Sequence, residues 1–116
     1  MKKLLVLLVI VMIYSSTAIS GESDGMFSAL NLLRGLAKQG NSNAQNILGA
    51  MYLQGGNGVK QNYIRAHMWF DLSDRNGNKD GGIARDLITK DMTPIEIAEA
   101  QKKARECIKK DYKGCD

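Results

Sequence analysis

His67 is the only histidine in the chain, and two carboxylates, Asp71 and Asp74, follow it on the same side of a predicted helix. A histidine and an aspartate four residues apart can provide one edge of a metal site. Zinc needs three or four ligands, however, and neither a second histidine nor a nearby cysteine completes the set. We therefore predict no metal and no cofactor, and we interpret His67 as a solvated or lightly paired side chain.

The serines are the next candidates, because β-lactamases and penicillin-binding proteins use a serine with a lysine one helical turn later for acyl transfer. None of the serines here has a lysine three positions further on. A single histidine also leaves little choice of general base. The sequence therefore predicts that the chain is not an enzyme.

A glycine-rich stretch, Gly55 to Gly58, lies directly before Val59 and Lys60. A phosphate-binding P-loop follows a strand and places Gly-Lys before Ser or Thr, so that backbone N–H groups and the lysine reach the phosphates. Here Val59 separates the last glycine from Lys60, Gln61 follows, and the preceding residues have a helical pattern. The stretch is interpreted as a turn.

The charged C-terminal stretch, residues 91–116, contains six acidic and six basic side chains. A surface that follows nucleic-acid phosphates needs charge of one sign and aromatic side chains for stacking, and Tyr112 is the only aromatic residue in this stretch. We interpret it as a solvated helix face with pairs of opposite charge three or four residues apart. No nucleic-acid partner is predicted.

Residues 1–20 contain two lysines, then the apolar run Leu4 to Tyr14, then small residues up to a predicted cut before Gly21. This order is typical of a secretory signal peptide. The eleven-residue run is too short to span a bilayer core of ~30 Å at ~1.5 Å per residue. We predict membrane contact only through this transient segment and a periplasmic or secreted domain of residues 21–116. That domain keeps 14 of the 16 basic side chains against 12 acidic ones, a net charge of +2.

Cys107 and Cys115 are the two cysteines, and both fall in the exported part. An oxidising compartment and an even count favour a disulfide. A helix through both residues would hold their Cα atoms ~12 Å apart, beyond the ~4.4–6.8 Å that a disulfide accepts. The chain must therefore fold back, and Gly114 is suited to that. We predict the bridge; two free thiols in a reducing compartment are the alternative.

Two amphipathic runs on either side of the glycine-rich stretch predict a helical hairpin. In both runs apolar or small residues recur at i, i+3, i+4 and i+7, which places them on one helix face. Small residues would let the two helix backbones approach, with aromatic side chains around the crossing. The predicted core of this repeat is Leu48, Gly49, Tyr52, Ala66, Trp69 and Phe70.

The spacing of the hairpin resembles the Sel1-like repeat, in the residues Ala44, Leu48-Gly49-x-Met51-Tyr52, Gly58-Val59, Tyr63, Ala66, Trp69-Phe70 and Gly77. The resemblance covers one full repeat, about residues 41–77, although the glycine turn is one residue longer than usual. It implies a tetratricopeptide-like α-solenoid of antiparallel helix pairs. Some cysteine-rich relatives are linked to penicillin binding and β-lactam hydrolysis, so a small periplasmic hydrolase or ligand-binding protein is the alternative function.

A second copy of the hairpin pattern supports the repeat. Residues 29–40 align without gaps on residues 66–77, an offset typical of solenoid repeats. A degenerate unit should begin near Asp80, and a capping box of Thr93, Pro94 and Glu96 opens a closing helix over about 93–111. We predict an all-α short α-solenoid of about five helices. Such a minimal array should depend on its closing helix, on the disulfide or on self-association.

In tetratricopeptide-like arrays the first helix of each pair lines the concave surface. By that analogy, polar residues off the apolar stripe of the first hairpin helix, and one arginine of the next unit, are candidate contacts with a partner. They are Asn43, Gln45, Asn46, Gln54 and Arg85. The predicted function is that of a small exported adaptor that binds a protein or a peptide.

Overall fold

The computed structural model describes Gly25 and residues 28–56 and 58–115, and the predicted signal peptide lies outside them. Five helical segments occupy the described part of the chain: α1 (residues 28–38), α2 (Ser42–Gln54), α3 (Tyr63–Arg75), α4 (Lys79–Thr89) and α5 (Pro94–Lys109). The β-type pairing found among these residues is one isolated bridge, between Gly56 and Val59. The prediction of an all-α fold with about five helices is confirmed.

Polar caps determine where four of the helices begin. The side chains of Asn41, Asn62 and Asn78 each accept a hydrogen bond from a backbone N–H in the first turn of α2, α3 and α4. Each bond satisfies a donor that a helix N-terminus otherwise leaves unpaired. The predicted capping box opens α5, because Thr93 and Glu96 exchange two backbone-to-side-chain hydrogen bonds of 3.2 Å.

The turns before α2 and α4 have the same backbone geometry. In each turn an asparagine N–H, that of Asn41 or Asn78, donates to the carbonyl five residues earlier, at 3.1 and 3.0 Å. The preceding residues, Gly40 and Gly77, have φ values of 86° and 99°, which glycine adopts without a steric penalty. The two aligned stretches of sequence therefore form the same helix–turn–helix connection.

The central helix is α3, which packs against α2, α4 and α5. Eight consecutive residues, Ala66 to Ser73, are buried, so this helix is covered all round rather than along one stripe. The residues predicted as the repeat core all lie in this interior: Leu48, Gly49, Tyr52, Ala66, Trp69 and Phe70. Among the described residues, no helix is both long and apolar enough to cross a bilayer.

Glycines set the distance between α3 and two of its neighbours. A Cβ on Gly49 of α2 would lie 2.5 Å from the Phe70 ring, so the close approach predicted there is present. A Cβ on Gly81 of α4 would lie 2.7 Å from the Ser73 side chain. Gly81 therefore lets the backbone of α4 pack directly on α3.

Cys107 and Cys115 form a disulfide with their Cα atoms 5.0 Å apart, as predicted. The chain folds back after α5 through three residues with positive φ: Asp111 (55°), Tyr112 (63°) and Gly114 (73°). Of these three residues, only Gly114 was predicted from the sequence to allow this reversal. The Tyr112 hydroxyl also donates to the Asn76 side chain at 3.1 Å, so the closed loop is held against the end of α3.

Candidate functional site

Five charged side chains of α3 and α4 form a hydrogen-bonded network. Arg85 donates from Nη1 to Asp71 Oδ1 at 2.7 Å and to Asp74 Oδ2 at 2.9 Å, and from Nε to Asp86 Oδ1 at 3.1 Å. Asp71 also accepts from Arg75 Nε at 3.1 Å, so it bridges two arginines. Such pairing is what allows charged groups to be buried.

The network fixes Arg85 in its charged form. The Arg85 side chain is 22% exposed and that of Asp71 is 9% exposed. Burial lowers the pKa of Arg85, but the hydrogen bonds that Arg85 donates to Asp71, Asp86 and Asp74 outweigh this, and the net shift of the pKa is upward. The guanidinium is therefore a permanent cation held in one orientation.

His67 lies one helical turn before Asp71, and it is buried, with 2% of its surface exposed. Its Nδ1 is buried without a hydrogen-bond partner among the described residues. Burial lowers the pKa of His67, and the nearby Asp71 carboxylate only partly counteracts this, so the imidazole is neutral at pH 7. The interpretation of His67 as a solvated side chain is wrong, because α3 packs against three other helices and this side chain is almost fully buried.

All of these side chains except Asp74 line a cleft of about 390 Å³ between α3, α4 and α5, which we call the Arg85 cleft. The α3 and α4 walls carry the network and the imidazole. The α5 wall carries Ile97, Gln101 and Arg105, which recur every four residues along one helix edge. The cleft thus combines fixed charges of both signs, the amide of Gln101 and the apolar surface of Ile97.

The α5 wall was not predicted from the sequence, because residues 91–116 were interpreted only as a solvated helix face. The spacing of Ile97, Gln101 and Arg105 at i, i+4 and i+8 could have indicated a shared edge. No sequence signal shows, however, that α4 ends early enough to leave this edge open. Gln101 and Arg105 are exposed, and neither forms a side-chain hydrogen bond or an ion pair with the described residues.

The five residues predicted to contact a partner do not form one surface. Arg85 lines the Arg85 cleft, whereas Asn43, Asn46 and Gln54 lie on α2 and do not line it. Asn43 Oδ1 accepts from the Asn78 side chain at 3.1 Å, so Asn43 connects α2 to the start of α4. Asn46 is half-buried and Gln54 is exposed.

Gln45 cannot be a surface contact, because it is fully buried, with 0% exposed. Its Nε2 donates to the Ala37 carbonyl at 3.0 Å, and its Oε1 accepts from Asn76 Nδ2 at 2.9 Å. The amide therefore ties together α1, α2 and the end of α3. A polar residue beside an apolar stripe is predicted to be exposed, but α1 packs over Gln45, and its amide finds hydrogen-bond partners in the interior.

The serine, threonine and cysteine side chains of α3, α4 and α5 are all occupied. Ser73 Oγ donates to the Ser42 carbonyl at 2.7 Å, Thr89 Oγ1 donates to the Arg85 carbonyl at 2.7 Å, and both cysteines are in the disulfide. The stretch 21–25 has the Gly-x-Ser-x-Gly spacing of a hydrolase nucleophile turn, a motif that functions between a strand and a helix. Its serine lies outside the described residues, and the part of the chain that the structure describes contains no such strand.

Comparison with protein-family models, with curated proteins and with solved structures finds no match for this chain. The resemblance to the Sel1-like repeat therefore depends on the spaced residues of the hairpin alone. The geometry described above is independent of that resemblance.

Proposed function

We propose that this chain is an exported Sel1-like helical-repeat module that binds a segment of a partner protein in the Arg85 cleft. The observation that carries the proposal is the open cleft, in which the fixed Asp71–Arg85 pair on one side faces the exposed side chains of Gln101 and Arg105 on α5. A peptide segment can pair with these side chains, because each of its non-proline residues carries a backbone N–H and a carbonyl.

The chemistry of the cleft suits a peptide better than a uniformly charged ligand. The carboxylates of Asp71 and Asp86 accept hydrogen bonds, Arg105 donates them, and Gln101 can do both. Ile97 offers an apolar contact for a side chain of the peptide. Arg85 is already held by three carboxylates, so binding does not have to order it, and preorganisation of this kind lowers the entropic cost of association.

The helix arrangement supports the repeat part of the proposal. α2 and α4 both pack on α3, α3 packs on α5, and the two equivalent turns begin α2 and α4. This is the order expected if α2–α3 is one helix pair of a short array and α4 begins the next, with α5 closing the array against α3 rather than pairing with α4. In such an array the Arg85 cleft lies between one pair and the next.

Export is the remaining part of the proposal, and two features of the chain favour it. The first is the signal-peptide pattern of residues 1–20, and the second is the disulfide, which fits an oxidising compartment. The hydrolase alternative predicted from the sequence has no comparable support in the geometry. Among the described residues that line the cleft, Thr89 is the one with a hydroxyl group that could act as a nucleophile, and this hydroxyl already donates to the Arg85 carbonyl.

The test is selection of peptides from a random library against the folded, disulfide-bonded protein, followed by affinity measurement on variants. We expect a selected peptide to bind saturably, and Gln101→Ala or Arg105→Ala to weaken it about tenfold, the loss typical of one hydrogen bond to a charged or buried group. Lys102→Ala is the matched control, since Lys102 lies on the same helix, is exposed and does not line the cleft. Peptides whose binding is unaffected by both α5 variants would contradict the proposal.

A further inference from the structure

A second cleft, which we call the basic pocket, lies between α1, the end of α2, the loop of residues 58–62 and the start of α3. Its volume is about 450 Å³. Its charged lining residues are Arg34 on α1, Lys60 in the loop and Arg65 on α3, and no carboxylate is among the described residues that line it. Three separate elements thus each bring one cation to the same pocket.

The three cations lack carboxylate partners among the described residues. Arg34 Nε is buried and has no hydrogen-bond partner there. Arg65 Nη1 donates to the Tyr52 hydroxyl at 3.4 Å, and its guanidinium lies 5.7 Å from the centroid of the Tyr52 ring. Tyr52 therefore orients Arg65 without neutralising it. Arg85, by contrast, has three carboxylate partners.

An unpaired buried donor on a cation is costly, because neither water nor protein replaces its lost hydration. Nearby like charges increase this cost. An anion in the basic pocket would remove both penalties, since an oxyanion accepts several hydrogen bonds at once and guanidinium groups match paired oxygens geometrically.

The walls of the basic pocket are held in place without a ligand. Gly56 and Val59 exchange two backbone hydrogen bonds of 2.8 and 3.0 Å, which close the base of the loop. Gln61 Nε2 donates to the Leu53 carbonyl at 2.9 Å, and the Asn62 N–H donates to the Tyr52 carbonyl at 2.8 Å. The loop is thereby fixed to the end of α2, so the cations on both sides of it keep their spacing.

We infer that the basic pocket is a binding site for a small multivalent oxyanion, such as a phosphate ester or a di- or tricarboxylate. The charge of the lining selects for more than one negative charge on the ligand, and the guanidinium groups select for paired oxygens. The site shares no lining residue with the Arg85 cleft, so it goes beyond the peptide-binding function and does not depend on it.

The experiment is a titration of the ¹⁵N-labelled protein at constant ionic strength with pyrophosphate, with citrate and with acetate. We expect pyrophosphate or citrate to saturate and to shift the Arg34 Nε–H resonance, with affinity at least tenfold above that of acetate. Tighter binding of pyrophosphate assigns the site to phosphate compounds, and tighter binding of citrate assigns it to carboxylates. An absence of saturation, or an equal response to all three anions, would overturn the inference.

Variants separate a built site from general attraction to a basic protein. Lys60→Gln removes an exposed loop cation and should weaken binding about tenfold while the helical circular dichroism is unchanged. Arg65→Gln should do the same through loss of the oriented guanidinium. Lys109→Gln, an exposed cation on α5 outside the basic pocket, makes the same change in net charge and should leave affinity within twofold. Equal effects of Lys60→Gln and Lys109→Gln would show that the attraction is nonspecific.

Discussion

Replacing Asp71 with asparagine tests whether the charged network is a fixed part of the fold. The substitution keeps the shape of the side chain and removes the charge that bridges Arg85 and Arg75. Both arginines would then stay charged beside a neutral amide. A buried charge that loses its partner is strongly destabilising, by ~3–5 kcal/mol where burial is complete.

The expected cost is smaller than that limit, because the network is redundant. Arg85 retains Asp74 and Asp86, and the Arg75 side chain is 50% exposed, so its pair with Asp71 contributes at most ~1 kcal/mol. The 2.7 Å bond between Arg85 and Asp71 is the short, mostly buried one. We expect Asp71→Asn to lower the free energy of unfolding by about 2–3 kcal/mol.

Urea unfolding followed by tryptophan fluorescence measures this directly, because Trp69 is the only tryptophan and is fully buried. Asp86→Asn is the matched control: its side chain is 73% exposed and Arg85 keeps its two other carboxylates, so the cost should stay below ~1 kcal/mol. If Asp71→Asn and Asp86→Asn destabilise the protein equally, the account of Asp71 as the structural bridge is refuted.

Three further predictions concern packing, the disulfide and pH. Gly81→Ala should destabilise the protein by ~1–3 kcal/mol in urea unfolding, because the added methyl group would lie 2.7 Å from the Ser73 side chain of α3. Gly35→Ala is the control and should be neutral or stabilising, because no atom lies within 4 Å of the added methyl group. Equal effects of the two substitutions would contradict the close approach of α4 to α3. Replacing Cys107 and Cys115 with serine should cost about 2–3 kcal/mol, the entropy of a loop this short, and an unchanged urea midpoint would contradict a stabilising bridge. Burial lowers the pKa of His67 from 6.5, so the unfolded chain binds the proton first and stability falls as pH drops below that value, by at most ~1.4 kcal/mol per pH unit. His67→Gln should remove this slope between about pH 6.5 and about pH 5, because carboxylates contribute only at lower pH. Persistence of the slope in this variant would assign it to other groups.

Local features of the fold could be predicted because they depend on a few adjacent residues. The capping box of α5 needs only Thr93, Pro94 and Glu96, and the fold-back to Cys115 follows from the limited reach of a disulfide. The close approach at Gly49 was also predictable, since a small residue stands opposite bulky ones on two amphipathic helices.

The site depends on how many neighbours each helix has, which one sequence does not show. His67 and Gln45 are polar residues beside apolar stripes, a position that predicts exposure for a helix with one buried face. Both are buried, because α3 is covered on several sides and α1 packs over α2. Burial is what gives His67 its neutral state and makes Gln45 a connector between helices.

The clefts were unpredictable for a related reason. Arg85 was identified as a candidate contact, but its cleft also requires the edge of α5, far along the chain. The basic pocket collects Arg34, Lys60 and Arg65 from three elements, and none of these residues stands out in a sequence with sixteen basic side chains. Charge pairing decides which cations are neutralised, and it depends on tertiary contacts.

The most direct test of the central claim, that the Arg85 cleft receives a partner segment, is site-specific photocrosslinking in cells that produce the protein. A photoreactive amino acid is placed at Gln101, in the cleft wall, and separately at Lys102, which is exposed on the same helix outside it. The account predicts a discrete crosslinked product from position 101 that is lost with Arg105→Ala, and none from position 102. Equal crosslinking from the two positions, or none from position 101, would contradict it.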